Sequence, residues 1–133
     1  MLEYIDTADG GYRPGACNIG PAEIRRRRQI GWMGVAGTVG LALLLQALDA
    51  PAASGLLLAI PAAGAFSGFI QARLRFCAGF GLAGMLNLGA LGDQQRVEDA
   101  RARSADRRKA LQIHGASIAA GLGVALAFTL TRI

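Results

Sequence analysis

The fold is decided by residues 50–72, APAASGLLLAIPAAGAFSGFIQA, which form a run of 23 residues without a charge. The apolar core of a membrane is about 30 Å thick, and a helix needs about 20 residues to cross it. Two further uncharged stretches, residues 30–48 and 110–131, contain 19 and 22 residues. We therefore predict an all-α, polytopic integral membrane protein with three transmembrane helices, at about 30–48, 52–71 and 111–131.

The composition agrees with a membrane protein. Of 133 residues, 53% are hydrophobic and only 17% are charged, whereas roughly a quarter of the residues of a soluble domain are charged. Residues 1–20 are polar and are predicted to form an extended cytoplasmic tail. Residues 21–133 are predicted to form a single helical membrane domain that begins at Pro21, since proline suits the first position of a helix.

The basic residues stand where the apolar stretches end. This distribution is the positive-inside pattern and is not typical of a nucleic-acid-binding surface, so we expect no nucleic-acid partner. It places the N-terminus in the cytoplasm of a multi-pass protein of the cell (inner) membrane. The residues expected to contact lipid headgroups are Arg25, Arg26, Arg27, Arg28, Arg73, Arg75, Arg107, Arg108 and Lys109.

A glycine-rich segment, residues 76–92, decides between three spans and four. With three spans it is interfacial or re-entrant, and thirteen of the fourteen basic residues lie inside, with only Arg132 outside. With four spans the division becomes eight and six, so the positive-inside rule favours three. Residues 93–109 are predicted to form a polar cytoplasmic helix, with a new helix start for the third span at Ser104 and Asp106.

Small residues recur on all three predicted spans at helical spacing. Such faces let helix backbones approach closely in lipid, either within this chain or between chains. We expect them to mediate association with own copies or with other membrane protein subunits. The predicted packing residues are Gly31, Gly34, Gly37, Gly40, Gly64, Gly68, Gly115, Ala119 and Gly123.

Cys17, Cys77 and His114 form a second hypothesis. In the three-span topology all three lie near the inner interface, and two thiolates with an imidazole suit zinc, iron or copper. The alternative is that the cysteines are reduced apolar residues and that the histidine bonds a neighbouring helix. Apart from this metal, the sequence identifies no cofactor.

Three functions are open to such a chain. The first is an accessory or scaffolding subunit of a membrane protein complex, or a homo-oligomer, acting through helix–helix association. The second is a Cys/His metal-binding or redox protein at the cytoplasmic membrane interface, and the third is an oligomeric pore or transporter. The sequence contains no paired nucleophile and base and no phosphate-binding loop, so we expect no enzyme.

Overall fold

The computed structural model of the protein describes residues 11–133. It is mostly helical, with 72% of residues in helices, and three of its helices are long and apolar enough to span a membrane. This agrees with the predicted helical fold and with three candidate spans. The first is helix α1, Pro21–Ala47, which follows Gly20 in an extended conformation.

The second candidate span returns antiparallel to α1. It begins as a 3-10 helix, Ala52–Leu58, and continues as α2, Ala59–Leu74. Asp49, with φ 50°, makes the turn between them in the left-handed region. Pro61 lies in the first turn of α2, where the chain has just changed from 3-10 to α geometry.

Glycine brings α1 and α2 into close contact. A Cβ atom built on Gly68 would lie 2.5 Å from the backbone nitrogen of Gly31, and one built on Gly34 would lie 2.5 Å from that of Ala65. Real Cβ atoms do not approach backbone atoms so closely, so only glycine permits this contact. The two helices therefore pack backbone to backbone, as small residues allow in lipid.

The third candidate span is helix α4, Ala100–Thr131, which packs against α2 and against the 3-10 helix before it. Here Gly121 faces Ala59 and Ala63, since a Cβ atom built on Gly121 would lie 2.7 Å from the backbone nitrogen of Ala63. At the C-terminus of α4, a guanidinium nitrogen of Arg132 donates to the carbonyl oxygen of Ala50 at 2.6 Å. This contact fixes the far end of the bundle.

Between α2 and α4 the glycine-rich segment folds on one end of the bundle. It contains helix α3, Ala78–Ala83, and strand β1, Met85–Leu86, which forms a hairpin with the antiparallel strand β2, Gln95–Arg96, just after the segment. A six-residue helix is only about 9 Å long, which is far too short to cross a membrane. We call residues 11–20 and 76–99, which pack against each other, the end cap.

The polar region after the hairpin differs from the expected one. We predicted a separate helix over 93–109 and a new helix start at Ser104, but α4 begins at Ala100 and continues without a break into the apolar part. Asp99 is the residue before the helix, and its side chain accepts a hydrogen bond from the backbone N–H of Ala102 at 2.9 Å. The carboxylate that caps the helix is therefore Asp99, several residues earlier than predicted.

Candidate functional site

The end cap is held by buried asparagines. The side chain of Asn18 accepts from the backbone N–H of Cys77 at 2.6 Å and donates to the carbonyl of the same residue at 3.1 Å. Backbone hydrogen bonds also connect residues 18–20 to Asn87. The N–H of Asn87 donates to the carbonyl of Asn18, and the N–H of Gly20 donates to the carbonyl of Asn87, both at 2.9 Å. Both asparagines are fully buried. Because a buried polar group without a partner is costly, this pairing fixes the segment before α1 on the glycine-rich segment.

Asn87 also links the end cap to α1. Its amide donates to a carboxylate oxygen of Glu23 at 3.1 Å and to the carbonyl of Ala90 at 2.8 Å, while its oxygen accepts from Gly89 N–H. Glu23 is buried and forms an ion pair of 3.3 Å with Arg27, one helical turn later. The carboxylate of Glu23 thus lies between a cation and an amide.

Arg27 turns towards the interior of the protein. Its guanidinium donates to the sulfur of Cys77 at 2.7 Å and lies 5.9 Å from the centre of the Phe80 ring. The same sulfur accepts from the backbone N–H of Phe80 at 3.5 Å, where it caps α3. We expected Arg27 to contact lipid headgroups, but its guanidinium contacts Glu23, Cys77 and Phe80 instead, because the ion pair with Glu23 one turn earlier holds the side chain inside.

A second polar cluster joins the start of the described chain to α4. Asp106 is fully buried, and its two oxygens accept from the hydroxyl of Tyr12 and from the N–H of Gly15, each at 2.7 Å. Asp106 lies in the polar first turns of α4, outside the apolar stretch. Burial raises the pKa of its carboxyl above the usual 3.8, while the bonds from Gly15 and Tyr12 lower it. Burial and the neighbouring carboxylate of Asp106 raise the pKa of Tyr12.

These clusters fix the structure of the cap. Most of their side chains are buried and hydrogen-bonded, although Glu23 Oε1 has only its ion pair with Arg27. Two small apolar cores complete the cap. One core consists of Tyr12, Leu86, Val97 and Ala102, and the other of Phe76, Ala78, Ala110 and Ile113. Their arrangement therefore supports a rigid end that orients the three long helices.

A cleft opens between α1 and α4, with α2 as its floor. It encloses about 290 Å³, and its lining is almost wholly apolar. The hydroxyl of Thr38, its one polar side chain, is already bonded to the carbonyl of Gly34 at 2.7 Å. We call this cleft the groove. Its lining residues are Val35, Thr38, Val39, Ala62, Ala65, Phe66, Phe69 and Val124.

Helix α4 presents a second apolar surface on the side away from α2. Gly115, Ala119 and Gly123 are all exposed, and Cβ atoms built on the two glycines would meet nothing within 4 Å. We call this surface the outer face of α4. Leu111, Leu122 and Leu126 border it and are 46–59% exposed, so it is a small-residue surface with leucines beside it.

The predicted packing residues divide into two groups. Gly31, Gly34 and Gly68 are used in contacts between α1 and α2, and Gly37 has a looser contact with Pro61. The other predicted residues have open space beside them or are exposed, namely Gly40, Gly64, Gly115, Ala119 and Gly123. Sequence reasoning missed Gly121, although the close approach of α4 to α2 depends on it.

The predicted metal ligands do not form a cluster. Among residues 11–133, no group of three or more His, Cys, Asp or Glu side chains could hold a metal ion. Cys17 is fully buried, with its thiol 3.7 Å from the carbonyl of Ile19, and Cys77 is bonded to Arg27. His114 is half-buried within α4. The two cysteines thus have contacts of their own, and the structure does not bring the three residues together as a ligand set.

The remaining predicted headgroup residues lie on the surface next to the end cap. Lys109 is half-buried, and the others are exposed: Arg25, Arg26, Arg28, Arg73, Arg75, Arg107 and Arg108. Arg75 also ends α2, in the left-handed conformation with φ 55°, which glycine normally adopts. The buried contacts of Asn18 and Asp106 were not predicted from the sequence, because their partners are 59 and 94 residues away.

No protein-family model, curated protein or solved structure matches the chain.

Proposed function

We propose that the chain is a multi-pass protein of the cell (inner) membrane that works through helix–helix association, as an accessory or scaffolding subunit or as a homo-oligomer. One observation carries the proposal. The outer face of α4 is a small-residue surface that no other part of residues 11–133 covers, while α1 and α2 use Gly31, Gly34 and Gly68 to pack against each other.

The physics of helix association in lipid supports this choice. Lipid tails are as apolar as leucine, so burial gives two helices little reason to associate, and close backbone packing must supply the energy. Gly115 and Gly123 lie two turns apart on α4, with Ala119 between them, and permit such packing. The rigid end cap favours the same role, because it presents α4 in one orientation.

The charge distribution supports a cytoplasmic location of the end cap. Arg132 is at the far end of the bundle, whereas the other thirteen Lys and Arg residues lie in the end cap or in helix turns beside it. Positively charged loops remain on the cytoplasmic side during insertion. We therefore propose that Tyr12, the hairpin and the start of α4 face the cytoplasm.

The other two functions receive less support. A metal or redox site would need a ligand cluster, which residues 11–133 do not provide. A pore or transporter would need a polar path, whereas the groove is lined by apolar atoms. We propose no enzymatic activity for this chain.

The test is to replace both Gly115 and Gly123 by leucine and to measure the mass of the assembly in gentle detergent. We expect wild type to exceed the 13.8 kDa of one chain and the double variant to run as a monomer with unchanged helix content. Leucine at these positions holds a partner helix away, and its Cβ atom would meet nothing within 4 Å among residues 11–133. The matched control replaces Ala36 and Ala47, both exposed on α1, by leucine.

Two results would end the proposal. One is a wild-type protein that is monomeric in gentle detergent, and the other is a double variant that keeps the wild-type mass. If the α1 control dissociates as readily as the α4 variant, association does not use the outer face of α4.

A further inference from the structure

The groove has a basic mouth next to the end cap. Phe69 lines the groove, and Arg73 follows it by four residues on α2, so it lies on the same helix face one turn closer to the cap. On α1, Val35 lines the groove and Arg28 precedes it by seven residues, two turns closer to the cap on the same face. Both arginines are exposed.

The two arginines come close because α1 and α2 pack tightly. Gly31 lies opposite Gly68 and Gly34 opposite Ala65, so residue 28 of α1 is about level with residue 71 of α2. Arg73 is two residues further, which corresponds to about 3 Å along the helix axis. The two arginines therefore lie at nearly the same level of two adjacent helices, next to the mouth of the groove.

Neither arginine is neutralised within the described chain. Glu23, the acid on α1 nearest to Arg28, already forms an ion pair with Arg27. Among residues 11–133, neither Arg28 nor Arg73 makes a hydrogen bond or an ion pair. Between them and the groove, Trp32 packs edge-on against Phe69 with ring centres 5.2 Å apart. Tryptophan is enriched at the level of lipid headgroups, which places the arginines at the depth of phosphate groups.

We propose that this site binds one anionic phospholipid, with its phosphate between Arg28 and Arg73 and an acyl chain in the groove. The planar guanidinium group of arginine can donate two parallel hydrogen bonds to phosphate oxygens. An apolar lining without a free polar group suits a hydrocarbon chain. The two exposed arginines at the mouth favour a phospholipid over an apolar helix, which would leave both cations without an anion. The site is separate from the outer face of α4 and does not depend on the proposed association.

The test uses the full-length protein in mild detergent with equal amounts of phosphatidylglycerol and phosphatidylcholine that carry the same acyl chains. Native mass spectrometry counts the lipids retained per protein chain. We expect one phosphatidylglycerol to be retained in preference to phosphatidylcholine. Replacing Arg28 and Arg73 by glutamine should lower its retention roughly tenfold or more, since each charge-assisted bond to phosphate is strong.

Matched variants separate the site from general charge. Arg26→Gln with Arg108→Gln removes two exposed cations outside the groove mouth and should leave retention unchanged. Val39→Trp fills the groove and should lower retention with all arginines in place, whereas Leu43→Trp, outside the groove lining, should not. If the Arg28 and Arg73 variant does not fold, lipid retention by the Val39→Trp variant still tests whether the lipid occupies the groove.

Four results would overturn the proposal. They are equal retention of both lipids, equal losses in the two arginine pairs, displacement of the lipid by excess inorganic phosphate, and a Val39→Trp variant that changes oligomeric mass but not lipid retention. The third would indicate a simple anion site, and the fourth a protein partner in the groove.

Discussion

Replacing Asn18 by alanine should open the end cap without unfolding the long helices. The change leaves the buried N–H of Cys77 without its partner, which costs about 1–3 kcal/mol. It also removes the bond to the Cys77 carbonyl, worth about 0.5–1.5 kcal/mol, although that carbonyl keeps a bond of 2.9 Å from Gly81 N–H. Together the local opening free energy should fall by about 2–4 kcal/mol.

Hydrogen–deuterium exchange in detergent measures this opening. The backbone amides of Gly20 and Asn87 report it, because they form the bonds between the two segments of the cap. When reclosing is faster than exchange, a loss of about 2–4 kcal/mol corresponds to exchange roughly 30- to 700-fold faster. Gln29→Ala, an exposed change on α1, is the control and should leave both rates unchanged.

The refuting outcome for this prediction is clear. If Gly20 and Asn87 exchange within threefold of their wild-type rates in the Asn18→Ala protein, the asparagine does not hold the cap. If amides in the centre of α1 accelerate equally, the cap and the helices open as one unit, and the cap is not a separate element.

Three further predictions concern pH, packing and topology. Because the pKa of Asp106 is raised in the folded protein, the free energy of unfolding should fall as the pH rises from about 3.8 through that pKa. Asp106→Asn should remove this fall, and Tyr12→Phe should move it to higher pH because the hydrogen bond from Tyr12 lowers the pKa. Unfolding free energies measured across this pH range check both expectations. Equal pH slopes in wild type and Asp106→Asn would contradict this. Gly68→Leu should destabilise the chain by about 1–3 kcal/mol or more because its Cβ would meet Gly31, whereas Gly64→Leu should not, and thermal unfolding compares them. A cysteine at exposed Ser104 should react with an impermeant thiol reagent only after the membrane is opened, and labelling in intact cells would exclude a cytoplasmic end cap.

The three apolar helices were predictable because their cause is local. A charge-free stretch of about 20 residues requires no knowledge of its partners, and Pro21 and Glu23 lie in the first turn of α1 for reasons of backbone geometry and helix dipole. The need of Asn87 for a partner could also be anticipated, since an unpaired amide in an apolar setting is costly. Its partner, Glu23, could not, because the two are 64 residues apart.

The direction in which each glycine faces was not predictable. α4 is apolar on all sides over its second half, so its sequence does not indicate that Gly121 faces α2 while Gly123 faces outward. The same limit applies to α2, where Gly68 is buried against Gly31 and Gly64 is open. Periodicity identifies a polar and an apolar face, but it cannot distinguish two faces that are both apolar.

The most direct test of the central claim is photo-crosslinking from position 119, in native membranes. A photoreactive amino acid in place of Ala119 lies between Gly115 and Gly123 on the outer face of α4. We predict a covalent adduct with a second protein chain, either another copy or a different membrane protein, and its loss when Gly115 and Gly123 are replaced by leucine. Adducts with lipid alone, or a protein adduct that survives the leucine changes, would contradict association through this face.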